Sequence, residues 1–236
     1  MGNDKCHQQT VWFSPSMMCA DIFDMPTQLQ AFEKHCHMLH IDVMDGHFAP
    51  NLALSIDYVR ALKKRTSLPM DVHLMVDDPN LYLPKLLEIR PEYITVHAET
   101  IQKCAFRTIR TIKDARIKVG VALCPATPVS DVLAYLDLVD LVLVMTVDVG
   151  FAGQSFIPQM FDKITQFQKL RENKGYEYLI QVDGCIGKPV YKRLYDSGAN
   201  VYVMGTAGLF NRAGLTMEEA CCQMKETFCR EVEGVL

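Results

Sequence analysis

His40 and Asp42 stand two residues apart in His40-Ile-Asp42-Val-Met44, and Asp71-Val-His73-Leu-Met75 carries a second histidine in a similar setting. In an extended chain the period of two sends His40, Asp42 and Met44 to one face and leaves Ile41 and Val43 on the other. The same alternation puts His73 beside Met75. A third apolar run ends in Val182-Asp183-Gly184. Brought together, the imidazoles of His40 and His73 and the carboxylates of Asp42 and Asp183 would hold one divalent metal ion through mixed nitrogen and oxygen ligands. Such a set suits Zn²⁺, Mn²⁺, Fe²⁺ or Co²⁺ better than Mg²⁺, which stays possible. Each residue also has an ordinary use, since a strand histidine commonly makes structural hydrogen bonds and an Asp-Gly pair commonly makes a turn. Their coincidence at the same ends of separate strands favours the metal, because burying such groups unpaired is costly. A purely structural metal fits the same set.

A second group of residues could bind an anion. Gly150-Phe151-Ala152-Gly153, Gly184-Cys185 and Gly205-Thr206 each follow a strand-like run and would form a backbone-amide cradle for one phosphate. Glycine lets the main chain approach an anion closely, and a helix start after it adds a favourable dipole. The competing reading is that these glycines simply make the turns. Neither GxGxxG nor GxxxxGK[ST] occurs, so no nucleotide cofactor is expected.

The elements that must position these residues read as repeated strand–helix units. Strands are expected at Val11–Ser16, Met38–Met44, Pro69–Met75, Tyr93–His97, Lys118–Leu123, Leu138–Met145, Tyr178–Asp183 and Asn200–Gly205. Helices are expected at Pro26–His37, Ile56–Lys64, Lys103–Ala115, Pro158–Asn173, Pro189–Ser197 and Met217–Val232. With 236 residues, 49% of them hydrophobic, the chain matches one α/β domain, a (β/α)8 TIM barrel of about thirty residues per unit. A doubly wound open sheet is the alternative. The barrel is expected over residues 11–236, after a flexible N-terminal segment at 1–10. In a barrel the polar residues singled out above fall at the carboxyl ends of the strands, where active sites are built.

A net charge of −4 and the lack of a basic cluster beside aromatic residues argue against nucleic acid as a partner. No apolar run is long enough to span a bilayer, and the polar start lacks a signal-like core, so a cytoplasmic protein is expected. The nine cysteines are scattered without CxxC pairs, which fits reduced thiols. Cys36, Cys124 and Cys229 read as small hydrophobes beside apolar segments.

Ser14-Pro-Ser16, HIDVMDGHFAPN at 40–51, DVHLMV at 71–76, VMTVDVGFAGQ at 144–154, QVDG at 181–184 and MGTAGLF at 204–210 resemble the ribulose-phosphate 3-epimerase family. The resemblance runs through nearly the whole chain after residue 11. His97-Ala-Glu-Thr100, GFAGQSFIPQM at 150–160 and Gly208-Leu-Phe-Asn211 look most like the branch acting on D-allulose 6-phosphate. The resemblance implies metal ligands at His40, Asp42, His73 and Asp183, with Asp42 and Asp183 also serving as catalytic acid and base. It implies substrate contacts from Ser16 and His73, methionines near the reacting centre at Met44, Met75 and Met145, and a homo-oligomer, dimer or hexamer. Val149 departs from the proline, and Cys185 from the second glycine, that relatives commonly carry. Barrels of related design that decarboxylate or condense sugar phosphates use an Asp-x-Lys-x-x-Asp pattern, and DVHLMV has no lysine.

The implied reaction is 3-epimerisation of a ketose phosphate through an enediolate, D-allulose 6-phosphate to D-fructose 6-phosphate. D-ribulose 5-phosphate is the alternative substrate, and a catalytically silent sugar-phosphate binder the alternative from another class. Inverting a carbon next to a ketone requires one group to take a proton from one face and another to return it to the opposite face. Asp42 and Asp183 are the expected pair.

Overall fold

The computed structural model describes residues 9–233, so residues 1–8 of the expected N-terminal segment lie outside the described residues. Eight strands form one parallel sheet: β1 (Trp12–Pro15), β2 (Leu39–Met44), β3 (Met70–Met75), β4 (Tyr93–His97), β5 (Lys118–Leu123), β6 (Leu141–Met145), β7 (Leu179–Asp183) and β8 (Val201–Met204). Neighbours pair in the order β1-β8-β7-β6-β5-β4-β3-β2, and a parallel bridge between Ser16 and His40 joins the two remaining ends. The sheet curls into a nearly closed barrel. The doubly wound alternative is ruled out by that closure.

Around the barrel run α1 (Met25–His35), α2 (Ile56–Lys63), α3 (Leu83–Ile89), α4 (Ala98–Ile101), α5 (Ala105–Asp114), α6 (Met160–Lys174), α7 (Tyr191–Asp196) and α8 (Met217–Glu233). Their ends follow local chemistry. The Ser55 hydroxyl accepts from the Tyr58 amide to start α2, whose buried Ile56, Val59 and Leu62 repeat every three residues. Thr216 and Glu219 cap α8 reciprocally: the Thr216 amide donates to Glu219 Oε2 and the Glu219 amide to Thr216 Oγ1. Gly175, at φ +68°, ends α6.

Three expectations need correction. The short helix α3 was not anticipated, because prolines at 79 and 84 break its pattern; Pro84 is tolerated in the first turn, where its missing amide has no partner to lose. After β5 the chain makes 3-10 turns at Val129–Val132 and Leu136–Leu138 in place of a helix, so β6 begins at Leu141 and not at Leu138. Cys229 is exposed on α8, whereas Cys36 is buried and Cys124 half-buried; the eight described cysteines are all free.

The two faces of each strand divide the core. Ile41, Val43, Val72, Leu74, Val142 and Val144 point outward into the layer beneath the helices. Burying each such side chain stabilises the fold by about 1.5–3 kcal/mol. Inside the barrel, Met38, Tyr93, Leu141, Leu143 and Val201 form an apolar plug. Above the plug lies a fully buried polar layer of His40, Asp71, His73, Thr95, His97 and Gln181. Such a layer is stable only where its members satisfy one another. Gly120 on β5 makes room for it, because a Cβ there would collide with the Thr95 hydroxyl.

Candidate metal centre and active-site cleft

Strand register assembles the centre. Pairing of β2 with β3 sets Asp42 beside His73 and His40 beside Asp71, and pairing of β6 with β7 sets Asp183 beside Met145. His40, Asp42, His73 and Asp183 each offer one ligand atom, and those atoms all lie within 4.8 Å of one another. His40 Nε2 is 3.2 Å from Asp42 Oδ1 and 3.8 Å from Asp183 Oδ2. His73 Nδ1 is 3.1 Å from the same Asp42 oxygen. The first three residues are buried, whereas the Asp183 side chain is 19% exposed.

The orientation of His40 tests whether a cation fits. Its Nδ1 lies 2.9 Å from Asp71 Oδ2, and the other Asp71 oxygen accepts the Thr95 hydroxyl. The Asp71 carboxylate at Nδ1, which the Gln181 side-chain amide also approaches at 3.2 Å, holds a proton there and turns Nε2 toward the centre, where its lone pair becomes available once a cation displaces its proton. Nε2 is fully buried between two carboxylates and makes no hydrogen bond. A buried imidazole nitrogen without a hydrogen bond, facing two carboxylates, is a group that a bound cation satisfies. The mixed imidazole and carboxylate donors match a divalent transition metal.

Electrostatics separates the two aspartates. Burial pushes the Asp183 carboxyl up to about 7, with the Asp42 charge adding to the effect. Burial opposes ionisation of Asp42 as well, but His40 and then His73 overcome it and hold that carboxyl well below the usual range. Burial likewise opposes charge on His40, yet Asp42 and Asp71 outweigh it and raise that imidazole well above its ordinary value. His73 is lowered to about 4 by burial, which the hydrogen bond with Asp42 only partly offsets. The aspartates thus have opposite tendencies within one cluster, one ionised and one readily protonated.

The centre floors a cleft at the carboxyl ends of the strands. Ser16, Asp42, Gly150, Phe151, Ala152, Gly153, Asp183, Gly184, Cys185, Gly205 and Thr206 line it, as do Met44, Met75 and Met145. Ser16 donates to Asp42 Oδ2 at 3.0 Å. His40 and His73 do not reach the wall. They lie beneath the carboxylates.

On the glycine side, Gly184 has φ +115° and Cys185, most unusually for a side-chain residue, φ +55°. A Cβ on Gly184 would come within 2.6 Å of Val147 Cγ2. No long helix starts here: a 3-10 turn, Lys188–Val190, precedes α7, and a five-residue π-helical turn, Thr206–Phe210, follows β8. Turns this short sum few peptide dipoles, so any anion would rely on individual amides. Val149, half-buried, packs against Met44 and Met75, and Asn51 Nδ2 donates to the Gly150 carbonyl at 2.8 Å.

Sequence reasoning missed Asp71, Thr95 and Gln181, although Asp71 precedes His73 by two residues and so shares its face. That period was the available signal. Met18, Cys19, Asp148 and Gln154 also line the cleft without having been anticipated.

Fold and centre together define a barrel enzyme with a buried histidine–aspartate cluster at the carboxyl ends of its strands. Residues 12–210 match the ribulose-phosphate 3 epimerase family. Ribulose-phosphate 3-epimerase of Treponema pallidum is 38% identical over 201 residues, covering 85% of this chain and 92% of that one. The Bacillus subtilis ribulose-phosphate 3-epimerase is 39% identical over 196 residues, 82% and 90% of the two chains. Among solved structures, 3-hexulose-6-phosphate synthase from Salmonella typhimurium superimposes with a TM-score of 0.71 at 14% identity, covering 94% of this chain and all of that one, a likeness of fold alone. The chain belongs to the ribulose-phosphate 3-epimerase family, and is an epimerase of the isomerase class.

Proposed function

We propose that the chain epimerises C3 of a phosphorylated ketose with one divalent metal ion held by His40, Asp42, His73 and Asp183. The orphaned, fully buried Nε2 of His40 between two carboxylates carries this reading. When bound, the ion would supply Lewis acidity, stabilising negative charge that develops on the ketone oxygen. Everything else falls to the chain. One aspartate takes the C3 proton as the C–H bond breaks and an O–H bond forms; the other returns a proton to the opposite face, and no redox cofactor is needed. Asp42 and Asp183 both face the cleft, so each can exchange a proton with the substrate from its own side, and which of them starts as the base depends on the epimer bound. Ser16 holds Asp42 in place, Met44, Met75 and Met145 keep the reacting centre apolar, and amides around Gly184, Cys185, Gly205 and Thr206 take the phosphate.

For the substrate, D-ribulose 5-phosphate is the reading we favour, because the relatives at 38% and 39% identity carry that name. The six-carbon alternative, D-allulose 6-phosphate, keeps the support of His97-Ala-Glu-Thr100 and the run at 150–160. We further propose that residues 11–236 form the barrel domain and that the chain acts in the cytoplasm as a homo-oligomer. Among the described residues no helix is long and apolar enough to cross a membrane. A coupled assay on both ketose phosphates after chelation and readdition of single metals tests the function. Higher kcat/KM for ribulose 5-phosphate is expected; the reverse order would restore the six-carbon assignment, and binding without turnover of either would leave a silent binder.

A further inference from the structure

His97 and Glu99 lie outside the cleft, yet they are joined to the centre through buried hydrogen bonds. His97 Nε2 is 2.9 Å from His73 Nε2, and His97 Nδ1 is 3.1 Å from Glu99 Oε2. Both imidazoles are fully buried, stacked at 5.0 Å, with Phe48 against the outer one. The second Glu99 oxygen, Oε1, accepts the Cys124 amide at 2.9 Å and the Thr127 hydroxyl. Resting on the metal assignment to His73 proposed above, we propose that Glu99, acting through His97, is a positioning residue that fixes the ring proton of His73 on Nε2 and so frees Nδ1 to ligate the metal.

A neutral imidazole has one N–H and one lone pair. With both Glu99 oxygens accepting, the His97 proton must sit on Nδ1. His97 Nε2 then accepts, and among the described residues the group positioned to donate to it is His73 Nε2. The ring proton so fixed on His73 lies on the far side from Asp42, and a cation that displaces the proton shared between Nδ1 and Asp42 meets a lone pair facing the centre. Carboxylate partners of ligating histidines play this part in many metal sites. Here the carboxylate acts at one remove, through a second imidazole.

His97, Glu99 and Cys124 also lie close enough to hold an ion of their own. That use conflicts with the same hydrogen bonds. His97 Nδ1 cannot donate to Glu99 and ligate, and burial together with Glu99 pushes the Cys124 thiol up to about 12, away from the thiolate a metal requires.

Glu99→Gln makes the test specific. Glutamine has one carbonyl oxygen, and the Cys124 amide with the Thr127 hydroxyl compete for it. Its NH₂ then faces His97 Nδ1, reversing both ring tautomers and putting a proton on His73 Nδ1. We expect the variant to fold and to bind Zn²⁺ about ten- to a hundredfold more weakly in a chelator-competition titration. Cys124→Ala should bind as the wild type does. In ¹⁵N-histidine spectra of the Zn²⁺-loaded wild type, the expected protonated nitrogens are His73 Nε2 and His97 Nδ1. Wild-type affinity in Glu99→Gln, a His97 proton on Nε2 in the loaded wild type, or a second equivalent of Zn²⁺ lost in Cys124→Ala would each overturn the relay alone. The spectra decide the matter even if the variant does not fold. A wild type that binds no Zn²⁺, Mn²⁺, Fe²⁺ or Co²⁺ would instead remove the metal reading itself, and the relay with it.

Discussion

His40 meets Asp71 through Nδ1 at 2.9 Å while its Nε2 points between Asp42 and Asp183 with no hydrogen bond of its own. Asp71 sets which nitrogen is available for a ligand. Replacing it with Asn allows the amide to present a donor, which would favour the opposite tautomer. Asp71→Asn should lower metal affinity about ten- to a hundredfold with the barrel intact. Metal titration alongside circular dichroism checks this, and unchanged affinity would detach Asp71 from the centre.

Removal of the ion should stop the reaction. Exhaustively chelated protein is expected to lose turnover and recover it on adding Zn²⁺, Mn²⁺, Fe²⁺ or Co²⁺. His40→Ala and His73→Ala should each reduce metal content as well as rate, because an imidazole leaves the shell. Full activity after stripping, or normal metal content in both variants, would move the site elsewhere.

The raised carboxyl of Asp183 gives metal binding a pH dependence with a definite sign. In the ion-free protein this group, pushed up to about 7, holds its proton below neutrality, and a cation has to displace it. His40, also raised, adds a second proton to be released. Apparent affinity should therefore fall as pH drops below about 7, by roughly tenfold per unit for each proton displaced. Calorimetry in buffers of differing ionisation enthalpy counts the protons. A pH-independent affinity between 5 and 8 would contradict the burial of Asp183 beside Asp42.

The barrel and its four candidate ligands were legible because both depend on local period. Alternation put His40 with Asp42 and apolar residues with the helices, and eight strand–helix units of about thirty residues favoured a barrel over an open doubly wound sheet. What escaped notice depends on contacts between strands. Asp71 reaches His40 across 31 residues of chain, and His97 reaches His73 across 24. Register sets both, and no window of sequence displays it. The helix α3 was missed for a different reason, since only seven residues and an early proline leave too little period to read.

Gly184 ties the cleft wall to the backbone of the neighbouring strand end. At φ +115°, with Val147 Cγ2 only 2.6 Å from where a Cβ would stand, Gly184→Ala has nowhere to place its methyl group. The substitution should cost about 1–3 kcal/mol of stability and raise KM for the phosphorylated substrate more than it lowers kcat. Thermal unfolding and steady-state kinetics measure the two effects. A free sugar that reacted with the same kcat/KM as its phosphate ester would remove the anion role from this loop.

Asp42 and Asp183 rise from β2 and β7 into the same cleft, and inversion at C3 asks something different of each. If they work from opposite faces, turnover in D₂O should place solvent deuterium at C3 of the product. Asp183→Asn retains the size of the side chain and an oxygen that can still ligate, but it cannot accept or return a proton. Its epimerisation rate should fall by on the order of 10²–10⁴. Exchange of deuterium into the one epimer whose hydrogen faces Asp42 should outlast epimerisation, since exchange needs only one face. Metal content has to be measured beside it, because an emptied centre would erase both signals. Normal epimerisation by fully metal-loaded Asp183→Asn would end the two-aspartate mechanism: a single proton-transfer group on one face returns the hydrogen where it found it.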